Sequence, residues 1–195
     1  MDVFFSDADR KEYLKLLSEQ GERCGVAFLA WCLMSNHVHL IAVPDHETSL
    51  ASGIGEAHRR YTRYVNFREG WRGYLFQGRF YSCPLDGNYL LAAVRYVLRN
   101  PVRAGIVREP WHYRWSTTQW LVGAVPSDPL AIRSELLDDI TDWRAFLGCA
   151  SETPDVIRKH TRTGRPLGDE AFIDQLEEVT GRSLRPRKRG PKPRS

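Results

Sequence analysis

Between Cys32 and Val43 the chain reads Cys-Leu-Met-Ser-Asn-His-Val-His-Leu-Ile-Ala-Val, and this alternation constrains the fold more than any other stretch. A β-strand sends successive side chains to opposite faces. His37, His39, Ile41 and Val43 therefore share one face, and Val38, Leu40 and Ala42 the other. Two imidazoles at i and i+2 can converge on one metal ion. A second element adds to the pair. Residues 87–100 read as a helix capped by Asp86, and on it Tyr96 and Asn100 lie one turn apart on a single face. Pro101 must end or kink that helix, because it lacks an amide hydrogen and restricts the residue before it.

At 195 residues with 42% apolar content, the chain can bury a real core. It has no apolar run of the ~18 residues needed to span a bilayer, and its first residues show no signal-peptide pattern. Cys24, Cys32, Cys83 and Cys149 are scattered without a C-x-x-C pair, which reads as reduced core thiols in a cytosolic protein. The net charge of +4 hides a segregation. Residues 1–58 carry 4 basic and 9 acidic side chains, a net −5. Residues 59–114 carry 11 basic and 3 acidic ones, a net +8, and all 11 are arginine. Residues 115–181 carry 6 and 12, a net −6, and residues 182–195 carry 7 and none, a net +7. Two basic blocks in an otherwise acidic chain point to a polyanion partner, and arginine favours bidentate phosphate contacts and stacking over bases.

The expected organisation begins with a helix opened by Ser6 and Asp9, apolar at Tyr13, Leu14, Leu16 and Leu17, and punctuated by Gly21 and Gly25. Residues 26–33 and 37–43 read as a strand pair or as one long strand bent near Ser35-Asn36, and 49–67 as a helix lined by arginines. Gly70–Tyr81 suggests a hairpin-like strand and loop, and Ile106-Val107 a short strand. A tryptophan-rich segment (Trp111, Trp115, Trp120) covers something apolar. Residues 130–147 are expected to be helical, 150–168 to be a linker, and the stretch after Asp169 to be a short amphipathic helix. The proline-broken tail of residues 182–195 is too polar to pack and should order only on an anion.

Four strings carry a family likeness: Met34-Ser-Asn-His-Val-His-Leu-Ile41, Leu75-Phe-Gln-Gly-Arg-Phe80, Arg95-Tyr-Val-Leu-Arg-Asn-Pro-Val-Arg-Ala-Gly-Ile-Val107 and Tyr113-Arg-Trp-Ser116. In order and type they resemble the REP-associated tyrosine transposases of the HUH single-tyrosine superfamily, over roughly residues 4–120. The resemblance implies an α+β fold, a ferredoxin-like antiparallel sheet with helices on one face. It divides the chain into a catalytic domain (1–120), a helical extension (121–149), a linker with a short helix (150–181) and a basic tail (182–195). Relatives carry a strand ahead of the first helix, whereas only Asp2–Phe5 precede Ser6 here. Either the start lies upstream, or the sheet lacks a strand and exposes unpaired backbone groups.

By the same likeness His37, His39 and Asn100 would hold a divalent metal, Mg²⁺ or Mn²⁺, and Tyr96 would be the nucleophile. The implied activity is a metal-dependent single-stranded DNA endonuclease and strand-transferase. It would act at hairpin-forming palindromic repeats through a 5′-phosphotyrosine link, in a bacterial, nucleoid-associated setting. Arg59, Arg60, Arg63, Arg79, Arg99 and Arg103 would line a groove for the strand, with Trp71, Tyr74 and Phe76 as stacking platforms. Arg185, Arg187, Lys188 and Arg189 would add salt-dependent affinity. Tyr61 and Tyr64 are rival nucleophiles by type, but neither precedes an amide ligand by four residues. A catalytically degenerate DNA hairpin-binding protein is the alternative, and a ferredoxin-like RNA-binding module a third. Monomer and homodimer both stay open.

Overall fold

The computed structural model describes residues 2–149 and 154–185. The chain divides into two compact units, Met1–Phe80 with Leu91–Glu152 and Tyr81–Leu90 with Thr153–Ser195.

In the first unit, helix α1 (Asp7–Cys24) starts where the sequence indicates. Ser6 is extended, its hydroxyl accepts from Asp9 N–H, and the Asp9 carboxylate accepts from the N–H groups of Phe5 and Ser6 at 2.8 and 2.9 Å. The helix ends at Gly25, whose φ of 66° is left-handed. Gly21, expected to help end it, lies inside it instead. A Cβ there would stand 2.7 Å from the Phe28 ring, so glycine lets the helix approach the sheet.

Strands β1 (Val26–Leu33) and β2 (Val38–Pro44) pair antiparallel, with a register irregularity between Phe28 and Ala30. Helix α2 (Ser49–Glu69) packs against α1. Together they cover the face carrying Phe28, Trp31, Leu33, Val38, Leu40 and Ala42, joined by Tyr13, Leu17, Ile54, Tyr61 and Val65 in one core. The α+β class, with an antiparallel sheet and helices packed on its face, is what the sequence indicates.

The outer edge of β1 is not left bare. Leu33 N–H donates to Trp115 O, Thr117 N–H to Trp31 O, and Ile132 N–H to Phe28 O. These short irregular segments stand where a further strand would run. The residues ahead of α1 are also tied down: Val3 and Phe4 are buried, their N–H groups both donate to Ser35 O, and Tyr61 donates to Val3 O at 2.7 Å.

Helix α3 (Gly87–Leu98) follows an irregular stretch and is capped by Asp86, which accepts from Tyr89 N–H at 3.0 Å. It is followed by a single turn, α4 (Asn100–Arg103). Gly70–Tyr81 forms no strand; Leu75 is buried while Phe67 and Tyr74 are almost fully exposed. Ile106-Val107 forms none either, because α4 closes in a turn in which Ile106 N–H returns to Pro101 O. The expected helix over 130–147 shrinks to a 3₁₀ turn at Glu135–Leu137 and the short α6 (Trp143–Gly148), after α5 (Thr118–Leu121). Leu130 and Ala131 N–H are held by Asp128, and Ala131 bridges to β1, so this stretch is used for the sheet edge.

In the second unit the expected linker contains a helix, α7 (Pro154–Thr163), with proline at its start, where a missing N–H costs nothing. Asp169 caps α8 (Glu170–Thr180) by accepting from Phe172 N–H. Leu85 and Leu167 form a bridge. The four cysteines are free, but only Cys32 is a core thiol; Cys149 is exposed. No helix among the described residues is long and apolar enough to cross a membrane.

Asp9 is the most interior charge of the first unit. Burial pushes its carboxyl up, but Arg68 and the N–H groups of Phe5 and Ser6 outweigh that and bring it below the usual carboxylate value. A carboxylate with a lowered folded pKa stabilises the fold above its unfolded pKa of about 4, and the benefit disappears as pH falls through the folded value. Asp9→Ala is expected to cost about 2–3 kcal/mol in urea unfolding at pH 7, by removing the cap and the ion pair that ties Arg68 to α1, which leaves Arg68 paired with Glu69. The difference from wild type should shrink below pH 4.

Candidate active site

The face of the sheet opposite the α1–α2 pair carries Ala30, Cys32, His39 and Ile41, with His37 at the rim just before β2. His37 Nε2 lies 3.1 Å from His39 Nε2. His37 Nδ1 lies 2.6 Å from Asn36 Oδ1, and an amide oxygen only accepts, so Nδ1 carries the hydrogen and Nε2 keeps its lone pair facing His39. Asn36 thus fixes the tautomer, as an outer-shell partner of a metal-binding histidine does. Its role is not visible in the sequence.

Both imidazoles are held neutral at pH 7. Desolvation lowers His37; desolvation first, then the closeness of His37, which disfavours two charged rings side by side, and the Arg103 charge push His39 down to about 3. Cys32, cross-strand from His39, is pushed up to about 12 by burial, with Arg103 opposing, so it stays a thiol.

Tyr96 is buried in the last turn of α3, and its ring meets His39 edge-on with centroids 6.0 Å apart. Pro101 has no N–H to give the Val97 carbonyl. The Asn100 side-chain amide replaces it, donating to both Val97 O and Tyr96 O at 3.1 Å. With its nitrogen spent on the helix end, Asn100 turns Oδ1 outward, where it accepts from Arg103 Nη2 at 2.7 Å. Arg103 also donates to Tyr96 O at 3.0 Å and lays its guanidinium over the Tyr96 ring, 3.9 Å from the centroid.

The two nitrogens fit a metal ion. Ligands ~2.1 Å from one ion stand ~3.0 Å apart at a right angle and ~3.4 Å apart in a tetrahedron; the observed 3.1 Å lies between. Among the described residues no group of three or more His, Cys, Asp or Glu could hold a metal, so a site here rests on the two imidazoles and the Asn100 oxygen.

The rival tyrosines are occupied. Tyr61 is a core residue bonded to Val3 O, and Tyr64 is half-buried, with Arg68 over its ring. His58 is half-buried, stacked on Phe76 at 4.1 Å, bonded to Tyr13 and pushed down to about 4 by burial.

The arginines of the basic block are spread over several duties. Arg59 and Arg60 both bond Glu56, at 2.6–2.8 Å. Arg99 donates to the carbonyls of Leu147 and Gly148. Arg63 and Arg79 are exposed, and no described carboxylate lies within ion-pair distance of either. In the second unit Arg185 bonds Glu170, Asp174 and Glu177, each at 2.7 Å. Arg187, Lys188 and Arg189 lie outside the described residues.

The family model described as transposase IS200 like matches residues 2–100, the stretch that holds both histidines, Tyr96 and Asn100. The chain belongs to that family and is a transposase-like, DNA-processing protein. No curated protein and no solved structure matches it.

The Asn100 amide should be worth about 1 kcal/mol as a replacement donor. Asn100→Ala is expected to lower stability by that amount in thermal or urea unfolding. In a Pro101→Ala background, where residue 101 regains its N–H, the loss should be smaller. Equal losses in the two backgrounds would show that the amide does not serve the helix end.

Proposed function

We propose that this chain is a metal-dependent single-stranded DNA endonuclease and strand-transferase, acting at hairpin-forming repeats with Tyr96 as nucleophile. The observation that carries the reading is the pair of His37 and His39 nitrogens 3.1 Å apart, with the Tyr96 ring against His39. His37, His39 and Asn100 Oδ1 would hold Mg²⁺ or Mn²⁺. When bound, the ion would supply Lewis-acid stabilisation of charge on the scissile phosphate. Two neutral imidazoles and an amide oxygen leave its +2 charge undiminished.

The rest falls to the chain's own groups. The Tyr96 hydroxyl loses its proton and attacks phosphorus in line with the leaving oxygen. The P–O3′ bond breaks, the 3′-oxygen takes a proton, and a 5′-phosphotyrosine remains. Because the phosphodiester energy is kept in that link, attack by a 3′-hydroxyl restores the strand without ATP. Exposed Arg63 and Arg79, with the exposed rings of Trp71 and Tyr74, suit contact with phosphates and unstacked bases. The basic tail adds affinity that falls with salt.

The test incubates the purified chain with Mn²⁺ and a labelled single-stranded hairpin from the flanks of its own gene, beside Tyr96→Phe. An SDS-stable adduct that needs metal and is lost in the variant is expected. An adduct persisting in Tyr96→Phe would move the nucleophile elsewhere. Tight hairpin binding with no adduct would make the chain a non-catalytic DNA binder.

A further inference from the structure

Arg103 lies three residues beyond Asn100 on the single turn α4, and its guanidinium engages three parts of the site at once. It donates to the Oδ1 of Asn100 and the backbone oxygen of Tyr96, and it covers the face of the Tyr96 ring. The Asn100 amide nitrogen is already fixed by two carbonyls, so Oδ1 would point outward without Arg103. A hydrogen bond to Oδ1 is therefore not needed to orient Asn100. What it does is place a positive charge 2.7 Å from the oxygen that would ligate a metal.

We propose that Arg103 is a metal-displaced clamp: in the metal-free protein its guanidinium stands in for the divalent cation at Asn100 Oδ1, and metal binding must displace it. This rests on the reading that His37, His39 and Asn100 hold the metal. An oxygen cannot serve a guanidinium and a small dication along the same lone pair, and two cations a few ångströms apart repel. Arg103 thus lowers metal affinity, while its contacts with the Tyr96 backbone oxygen and ring hold Tyr96. Metal binding would free the guanidinium from Oδ1, and a freed guanidinium suits phosphate oxygens. Loss of a clamp and loss of a merely structural arginine have opposite effects on metal binding, which makes the idea testable without DNA or turnover.

Mn²⁺ binding to the full chain is measured by the electron paramagnetic resonance signal of free Mn²⁺, for wild type, Arg103→Gln, Arg103→Lys and His39→Ala. Release of a charge-assisted hydrogen bond and of the repulsion should tighten binding in Arg103→Gln on the order of tenfold. Arg103→Lys keeps the charge but not the planar fork, so it should fall between, and it serves where the glutamine variant fails to fold. Unchanged or weaker binding in the Arg103 variants, with His39→Ala still losing the ion, would overturn the clamp and leave the metal site standing. Wild type binding no better than His39→Ala would overturn the metal site, and the clamp with it.

Discussion

The absence of one amide hydrogen, at Pro101, organises the candidate site. An uninterrupted helix would use the N–H of residue 101 to satisfy the Val97 carbonyl. Here the Asn100 side chain does so, and the two carbonyls it serves fix which way its oxygen faces. The same break starts α4 and brings Arg103 back over the Tyr96 ring. Tyr96, Asn100 and Arg103 are therefore held by local backbone chemistry, and they need only a rigid partner across from them.

That partner is the β1–β2 hairpin. Period-2 alternation puts the large apolar side chains against α1 and α2 and leaves the histidines on the opposite face. Anchoring of the apolar face rigidifies the histidine face, because a one-residue register slip would turn Leu33, Leu40 and Trp31 out of the core. Asp9 and Arg68 join the start of α1 to the end of α2, and Ser35 O receives the N-terminal segment at the turn before His37. The polar surroundings of the histidines thus rest on a packed and well-bonded scaffold.

Much of this was legible in the sequence, for physical reasons. The capping box at Ser6, the αL glycine at Gly25, the strand alternation and the Asp86 cap are local rules, and local structure obeyed them. The 130–147 stretch was not legible because its backbone donors serve Asp128 and the β1 edge, a demand set by distant residues. Gly21 suggests a helix end by its type alone, but its reason is the Phe28 ring, seven residues away in sequence but in contact across α1 and β1. In the site, the histidine pair and the Tyr96–Asn100 spacing could be read. Asn36 as a tautomer-fixing acceptor and Arg103 as a cation on Asn100 could not, since each depends on one rotamer. The arginine block conveyed the sign of the field but not the separate duties of Arg59, Arg60 and Arg99.

In the proposed function the two histidines share one divalent ion. Pulsed electron paramagnetic resonance of Mn²⁺ bound to the full chain measures this directly, through the ¹⁴N couplings of coordinated imidazole. Couplings from two imidazole nitrogens are expected in wild type and from one in either His37→Ala or His39→Ala. A spectrum with water protons alone, or one unchanged by both substitutions, would contradict it.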